Sequence, residues 1–389
     1  MVFLALLGVV THGGAASAQA PAEERSSERS GELLALTYNV AGLPEMISGS
    51  DPATNMPLIS PLLNDYDLVL VQEDFEDPVE PFPLFFYHHD LVSAVNHPFL
   101  SDPARPPLWT DLRRPEAIVA DGLNRLSRFE FGPLTREMWT NCFGGPNTAD
   151  GGAGDCLSQK GFSMARTTLA PGVEVDVYNL HAEAGGTELD ERYRADDYVQ
   201  LAAFMANHSE GRAVIVGGDM NLHTDEEPDA TVWTRFLEES GLADVCEVVD
   251  CGADAHVIDK FAFRSGGGVD LTALSHRFER DKFQRDDGEP LSDHDALAVA
   301  FRWTVAAPAD LAAPAGTGNT TSSPTASGPG AASRSGSPGG ASATGSALPR
   351  TGGDGPQWWT LMLVAGPLAA RAAASAAATS GKASKAPSG

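Results

Sequence analysis

The chain has 389 residues and a formal net charge of −27, with 26 Lys and Arg against 53 Asp and Glu. Its length admits two or three domains, but from about Ala306 onward Ala, Gly, Ser, Thr and Pro dominate, too few large apolar side chains to bury a core. One α/β domain over about Glu32–Thr304 remains, and the negative charge disfavours long-lived binding to nucleic acid unless a divalent cation supplies positive charge locally.

In chain order, Met1–Ala20 opens apolar (VFLALLGVV) and turns to small residues ending in ASAQA, the pattern of a secretory signal peptide. It departs from that pattern in having no Lys or Arg ahead of the apolar run. Leu33–Val40 reads as a core strand and Pro57–Leu63 as a short helix, followed by a strand over Asp67–Val71. Pro78–Pro107, rich in proline and aromatics, reads as a long surface loop that shapes access to a site. Adjacent His88 and His89 within it read as solvated loop residues. Gly122–Phe131 leads into the glycine-rich stretch between Cys142 and Cys156, where a stable helix is not expected.

Val173–Leu180 alternates with period two, placing Val173, Val175 and Val177 on one face. Glu188–Asn207 is helical by its Tyr198, Leu201, Ala202 and Met205 stripe, and feeds a buried strand at Ala213–Val216. Ala230–Glu239 is a second helix, with Trp233, Phe236 and Leu237 inward and Gly241 just past its end. Strands around Val269–Leu274 and Leu297–Phe301 complete the domain. Residues 305–347 form a flexible linker, and 348–389 carry LPRTG (Leu348–Gly352), an apolar run Trp358–Ala370 and a small-residue tail. LPRTG ahead of an apolar run resembles a sortase sorting signal, although the run is short for a membrane span.

The four cysteines, Cys142, Cys156, Cys246 and Cys251, allow three pairings. Proximity favours Cys142–Cys156 and Cys246–Cys251. Zinc is not expected, because the sequence shows neither tighter ligand pairs nor histidines close by.

Five apolar runs close on a polar residue: Asn39, Glu73, His181, Asp219 and the Asp293–His294 pair ahead of the Leu297–Phe301 strand. Five strands delivering polar groups to one rim would build a site on rigid elements. In order the motifs are YNVAGLPE, VQEDF, YNLHAEAG, GGDMN, GGGVDLTAL and LSDHDALAVAF. Together they resemble the endonuclease/exonuclease/phosphatase superfamily, over most of Leu33–Trp303. The resemblance implies the DNase I-like fold, a four-layer α/β sandwich of two packed sheets flanked by helices.

It also implies metal-dependent phosphodiester hydrolysis. Glu73 would be the principal ligand of Mg²⁺ (or another divalent cation such as Mn²⁺ or Ca²⁺), with the Asn39 amide beside it, since a hard cation takes oxygen ligands. His294 would take the proton of the attacking water, with Asp270 of VDLTAL as its orienting carboxylate. His181 would donate to a phosphoryl oxygen, Asp219 and Asn221 would grip the phosphate or water, and Asp293 would touch the metal or a bound water. Asp74 is expected to face away from Glu73 in a structural role. His223 either lines the site or is solvated, and Glu183 and His256 carry no assignment.

For the substrate, DCLSQKGFSMARTTL followed by VYNLHAEAG resembles the matching region of secreted bacterial sphingomyelinases, and the aromatic loop Phe82–Trp109 suits a bilayer surface. The leading expectation is an exported, monomeric, sphingomyelinase- or phospholipase C-like phosphodiesterase that touches a membrane surface and is attached to the cell wall by sortase. A secreted DNase I-like nuclease and a non-catalytic surface binding protein on the same fold are the alternatives.

Overall fold

The computed structural model describes residues 29–45, 49–76, 86–105, 112–145, 147 and 151–305. The leader, the linker beyond Val305, the sorting-like motif, and residues 77–85 and 106–111 in and beside the aromatic loop lie outside the described residues. The first half contains β1 (Arg29–Asn39), α1 (Pro52–Leu62), β2 (Leu68–Gln72), α2 (His88–Val92), β3 (Phe99–Leu100), β4 (Asn124–Ser127), β5 (Glu130–Phe131) and β6 (Thr135–Met138). Next come β7 (Gly161–Ala170), β8 (Val173–His181), α3 (Glu188–His208), β9 (Val214–Asp219), α4 (Asp229–Ser240) and β10 (Ala243–Asp244). The domain closes with β11 (Asp259–Arg264), β12 (Val269–Phe278) and β13 (Leu297–Val305).

These strands form two sheets, ordered β12-β13-β1-β2-β4-β3 and β10-β11-β9-β8-β7-β5, with β6 also paired to β7. Each has one parallel pair made by a crossover helix: β1 with β2 through α1, and β8 with β9 through α3. The inner faces pack on each other through Leu33, Leu70, Val175, Ile215, Phe261 and Phe301. Beyond the second sheet, Tyr178, Leu180 and Val216 meet Leu201, Met205, Trp233 and Phe236 of α3 and α4. Beyond the first, Tyr38, Val69 and Val71 meet Met56 and Ile59 of α1 and Leu91 of α2. The expected helix–sheet–sheet–helix sandwich is therefore the architecture. Each fully buried Leu, Ile or Phe in these layers stabilises it by about 1.5–3 kcal/mol.

Period-two alternation in β8 thus separates two cores rather than core from solvent. Val173, Val175 and Val177 face the first sheet, Tyr178 and Leu180 face the helices, and only Glu174 is exposed. Helix α3 starts on a reciprocal cap between Thr187 and Asp190, and α4 ends on left-handed Gly241, where an L side chain would be strained.

A buried polar bridge fixes how the sheets sit on one another. Gln72 Nε2 donates to Asn179 Oδ1 (2.7 Å) and Thr37 Oγ1 (3.0 Å), while Asn179 Nδ2 donates to Val71 O (2.9 Å) and Asn124 O (3.1 Å). Sliding the sheets would strand these buried groups at about 1–3 kcal/mol each, so the ends of β2 and β8 are held in register. The disulfides are Cys142–Cys156 and Cys246–Cys251, the pairing that proximity favours.

Candidate active site

Strand direction gathers the polar residues. Asn39 ends β1 opposite Gln72, the residue before Glu73. In the second sheet His181, Asp219 and Asp259 stand side by side across β8, β9 and β11. Strand β13 runs antiparallel to β1 and starts beside Thr37, so the loop before it brings Asp293 and His294 to the same rim. Among the described residues, the non-glycine positions with positive φ are Ala41 (49°), Glu73 (56°) and Asn221 (49°), each adjoining this rim. Such backbone costs on the order of 1–3 kcal/mol per residue and persists where surrounding packing enforces it. Gly122 is part of that packing around Glu73: a Cβ there would lie 3.0 Å from Glu73 Cα and 2.7 Å from the Phe75 ring.

His294 Nδ1 lies 2.8 Å from Asp259 Oδ2. A carboxylate accepts, so the neutral ring carries its proton on Nδ1 and presents a lone pair at Nε2. Nε2 sits 3.5 Å from Asn39 Nδ2 and 3.7 Å from Asp219 Oδ2. Ser292 holds the turn, its hydroxyl donating to Asn39 O (2.7 Å) and accepting from His294 N–H (3.2 Å).

The orienting carboxylate is Asp259, which corrects the expectation for Asp270. Strand β12 is antiparallel to β13, so Asp270 pairs with Thr304, seven residues beyond Leu297. At about 3.3 Å per residue it lies roughly 23 Å down the sheet from the rim, exposed to solvent. Strand β11, absent from the sequence reading, carries Asp259. Its signal is the run VIDKFAFR, where an Asp opens an alternating apolar stretch.

Asn39 Nδ2 donates to Glu73 Oε1 (3.1 Å) and Asp219 Oδ2 (3.2 Å), and Asn39 Oδ1 accepts from Ala41 N–H (3.1 Å). The amide therefore braces two carboxylates, and oxygen ligation by Asn39 would require it to turn over. His181 Nε2 lies 3.3 Å from Asp219 Oδ2. Asn221 donates its backbone N–H to Asp219 Oδ1 (3.0 Å) and its amide to Ala182 O (3.0 Å). Asp293 is exposed at the rim, and His223 is exposed outside these contacts.

Two cationic groups balance the carboxylates. Burial pulls the His294 ring down, but Asp259, Asp219 and then Asp293 outweigh it and hold the ring well above its ordinary value. Lys160, unassigned from sequence, is also depressed by burial, yet its ion pair with Asp155 and the fields of Glu73 and Asp219 raise it overall. His181 goes the other way: burial first, then Lys160 and His294, push it well below the usual imidazole range, leaving it neutral. Burial raises Glu73, with Asp293 adding to the effect and Lys160 opposing it. A half-buried carboxylate facing further carboxylates is a hard-oxygen donor set whose excess negative charge a divalent cation would offset. Glu73, with Asp219 and Asp293 beside it, fits such an ion.

Asp74 has the structural role expected, but His88 is not solvated. Its Nδ1 lies 2.7 Å from Asp74 Oδ2, which also accepts from Asn124 Nδ2 (2.8 Å). Glu183, left unassigned, is buried under the rim and accepts from Phe143 N–H (2.5 Å), and burial pushes it up to about 10.

Fold and rim together define an α/β sandwich with an imidazole–carboxylate dyad among acidic side chains at one rim. No family model matches the chain. The sphingomyelinases of Mycobacterium tuberculosis (strain ATCC 25618 / H37Rv) and Mycobacterium bovis are each 34% identical to it over 289 residues. That alignment takes in 70% of this chain and 53% of theirs, so the chain spans about half the length of the curated relatives it matches. Among solved structures, beta toxin from Staphylococcus aureus is 15% identical with a TM-score of 0.47, over 69% of this chain and 99% of that one. Sphingomyelinase C from Streptomyces griseocarneus is 16% identical with a TM-score of 0.46, over 69% and 99%.

Proposed function

We propose that the protein is an exported, magnesium-dependent phosphodiesterase of sphingomyelinase type, cleaving a phospholipid headgroup by attack of water on phosphorus. The observation that carries this reading is the Asp259–His294 hydrogen bond, which leaves His294 Nε2 facing Asn39 and the Asp219 carboxylate. The 34% identity to sphingomyelinases supports the substrate class, and the net charge of −27 weighs against a nucleic-acid substrate.

In this mechanism His294 Nε2 accepts a proton from water as its oxygen attacks, while Asp259 fixes the ring and stabilises the imidazolium that forms. Neutral His181, its Nε2 3.3 Å from Asp219 Oδ2, would turn its one N–H from that carboxylate to a phosphoryl oxygen as charge builds there. Lys160 adds fixed positive charge behind the cleft, and Asn221, held by Asp219, orients the phosphate or the water. Glu73 would hold Mg²⁺ with help from Asp219 and Asp293, and the bound ion would offset charge on the phosphoryl and leaving oxygens.

Three substrates decide the reading: sphingomyelin vesicles, plasmid DNA and bis-p-nitrophenyl phosphate, each with Mg²⁺ and with EDTA. Phosphocholine release that EDTA abolishes, without nicked plasmid, is the expected result. Nicked plasmid without phosphocholine would make the protein a nuclease, and inertness on all three a binding module.

Export rests on the Met1–Ala20 pattern and on two disulfides, which form in oxidising compartments. Mass spectrometry of the secreted protein should find an N-terminus just after Ala20. Cell-wall attachment through Thr351 of LPRTG is tested by release into the medium after Thr351→Ala. An intact leader on cell-retained protein would reject export.

A further inference from the structure

Sequence spacing gives Cys246 and Cys251 no histidine nearby, but the fold does. His276 lies 25 residues further on by number, in β12, yet one ring nitrogen and the two sulfurs all lie within 4.8 Å of one another. Cys246 and His276 line a recess with Asp244, Asp254 and Lys260 at the β10–β11 edge of the second sheet, behind the catalytic rim. Nothing in the proposed reaction uses them.

We propose that, once the Cys246–Cys251 disulfide is reduced, Cys246, Cys251 and His276 bind a thiophilic divalent ion of the zinc class. Two thiolates and a neutral imidazole are a zinc ligand set, and water would fill the fourth tetrahedral position. Tetrahedral ligands at about 2.0–2.3 Å from zinc stand roughly 3.5–3.8 Å apart. His276 is thus near its bonding position, and the sulfurs reach theirs when the S–S bond opens. The Cα separation of 5.4 Å needs little change.

The chemistry balances. A dithiol supplies two electrons and two protons, becomes its own disulfide and leaves two Cys thiols. Binding one Zn²⁺ as the bis-thiolate then releases those two protons. Asp259 and Lys260 line the same recess, so the ion would sit directly behind the carboxylate that orients His294. Cys142–Cys156 serves as an internal control, since among the described residues it belongs to no such ligand group.

Cobalt tests the proposal, because a thiolate-to-cobalt charge-transfer band reports sulfur ligation and is blind to a carboxylate site in the catalytic cleft. Full-length protein reduced with a phosphine should take up one equivalent of Co²⁺ with this band, and Zn²⁺ should abolish it. His276→Ala should weaken uptake by at least about 10-fold, Cys246→Ser should remove the band, and a Cys142→Ser/Cys156→Ser variant should keep it.

Alkylation of the reduced chain is a second measurement that does not depend on every variant folding equally well. Zn²⁺ should protect Cys246 and Cys251 but not Cys142 and Cys156, and His276→Gln should lose the protection. A reduced wild type with no thiolate band, a band that survives Cys246→Ser, or equal alkylation of all four cysteines with and without Zn²⁺ would overturn the proposal.

Discussion

Among the described residues two aspartate–histidine pairs share almost the same geometry, and only one stands among the carboxylates of the rim. His294 Nδ1 sits 2.8 Å from Asp259 Oδ2 and His88 Nδ1 sits 2.7 Å from Asp74 Oδ2. In both the carboxylate is buried and holds the imidazole above its ordinary value against the pull of burial. They differ in what surrounds the ring. Around His294 stand Asn39, Asp219 and, by its field, Asp293, so the second nitrogen meets acidic groups. Around His88, Asn124 Nδ2 reaches both Asp74 and the ring, pinning the start of α2 to the end of β2. An orienting carboxylate therefore makes a base only where the ring's second nitrogen meets the groups that would hold a substrate.

The largest effects should separate these pairs. His294→Ala should lower kcat by on the order of 10³-fold or more with the fold intact, since general base catalysis contributes about 10²–10⁴. Asp259→Asn, which cannot hold the same tautomer, should lower kcat by on the order of 10²-fold or more. Asp270→Asn should leave turnover unchanged and alter stability by less than about 0.5 kcal/mol. Steady-state rates with circular dichroism on each variant make the check. Equal losses in Asp259→Asn and Asp270→Asn would dissolve the distinction between the rim and the far end of β12.

Glu73→Gln comes next, and it sharpens the comparison from the metal side. Removing the carboxylate should raise the Mg²⁺ concentration needed for half-maximal rate by at least about 10-fold. Asp74→Asn, one residue away on the other face of the chain, should leave that concentration alone. Magnesium titrations of the two variants decide it.

How far the sequence reveals this site depends on what kind of information each residue carries. Asn39, Glu73, His181 and Asp219 each close an apolar run and His294 stands just ahead of one, so their convergence on one rim is legible. The Asp259 partnership is not, because it depends on sheet order. VDLTAL looks like a strand delivering Asp270, but only the antiparallel β12–β13 register shows that this residue leaves at the wrong end. Lys160 is hidden for a related reason. A lone lysine before a strand reads as solvated, and its burial beside Asp155 depends on the fold around the disulfide loop. The His88 contact is hidden too, because Asp74, its partner, lies 14 residues back across a proline-rich stretch.

A smaller effect concerns the pH at which each pair changes charge. His294 must be neutral to accept a proton, so a ring held above 6.5 moves the rising limb of the rate–pH profile to the alkaline side of an ordinary histidine. Asp293 is one of the charges that raises it. Asp293→Asn should therefore shift that limb toward acid, whereas Asp74→Asn should not move it. A limb that stays in place in Asp293→Asn, measured at saturating Mg²⁺, would mean that Asp293 does not act on the base.

The smallest effect belongs to the His88 pair and is read in stability, not rate. His88→Ala removes one partner of a carboxylate that is 1% exposed and whose Oδ1 already has no hydrogen-bond partner. It should destabilise the domain by about 1–3 kcal/mol with kcat little changed. The sign with pH follows from the raised imidazole. A group that binds its proton more tightly when folded stabilises fully below its unfolded value, 6.5, and that contribution is lost as pH rises through the folded value. Urea midpoints of wild type and His88→Ala should therefore differ most below pH 6.5 and converge on the alkaline side. A gap that widened with rising pH would show that His88 is held as a neutral ring, and that the two dyads differ in charge as well as in what they face.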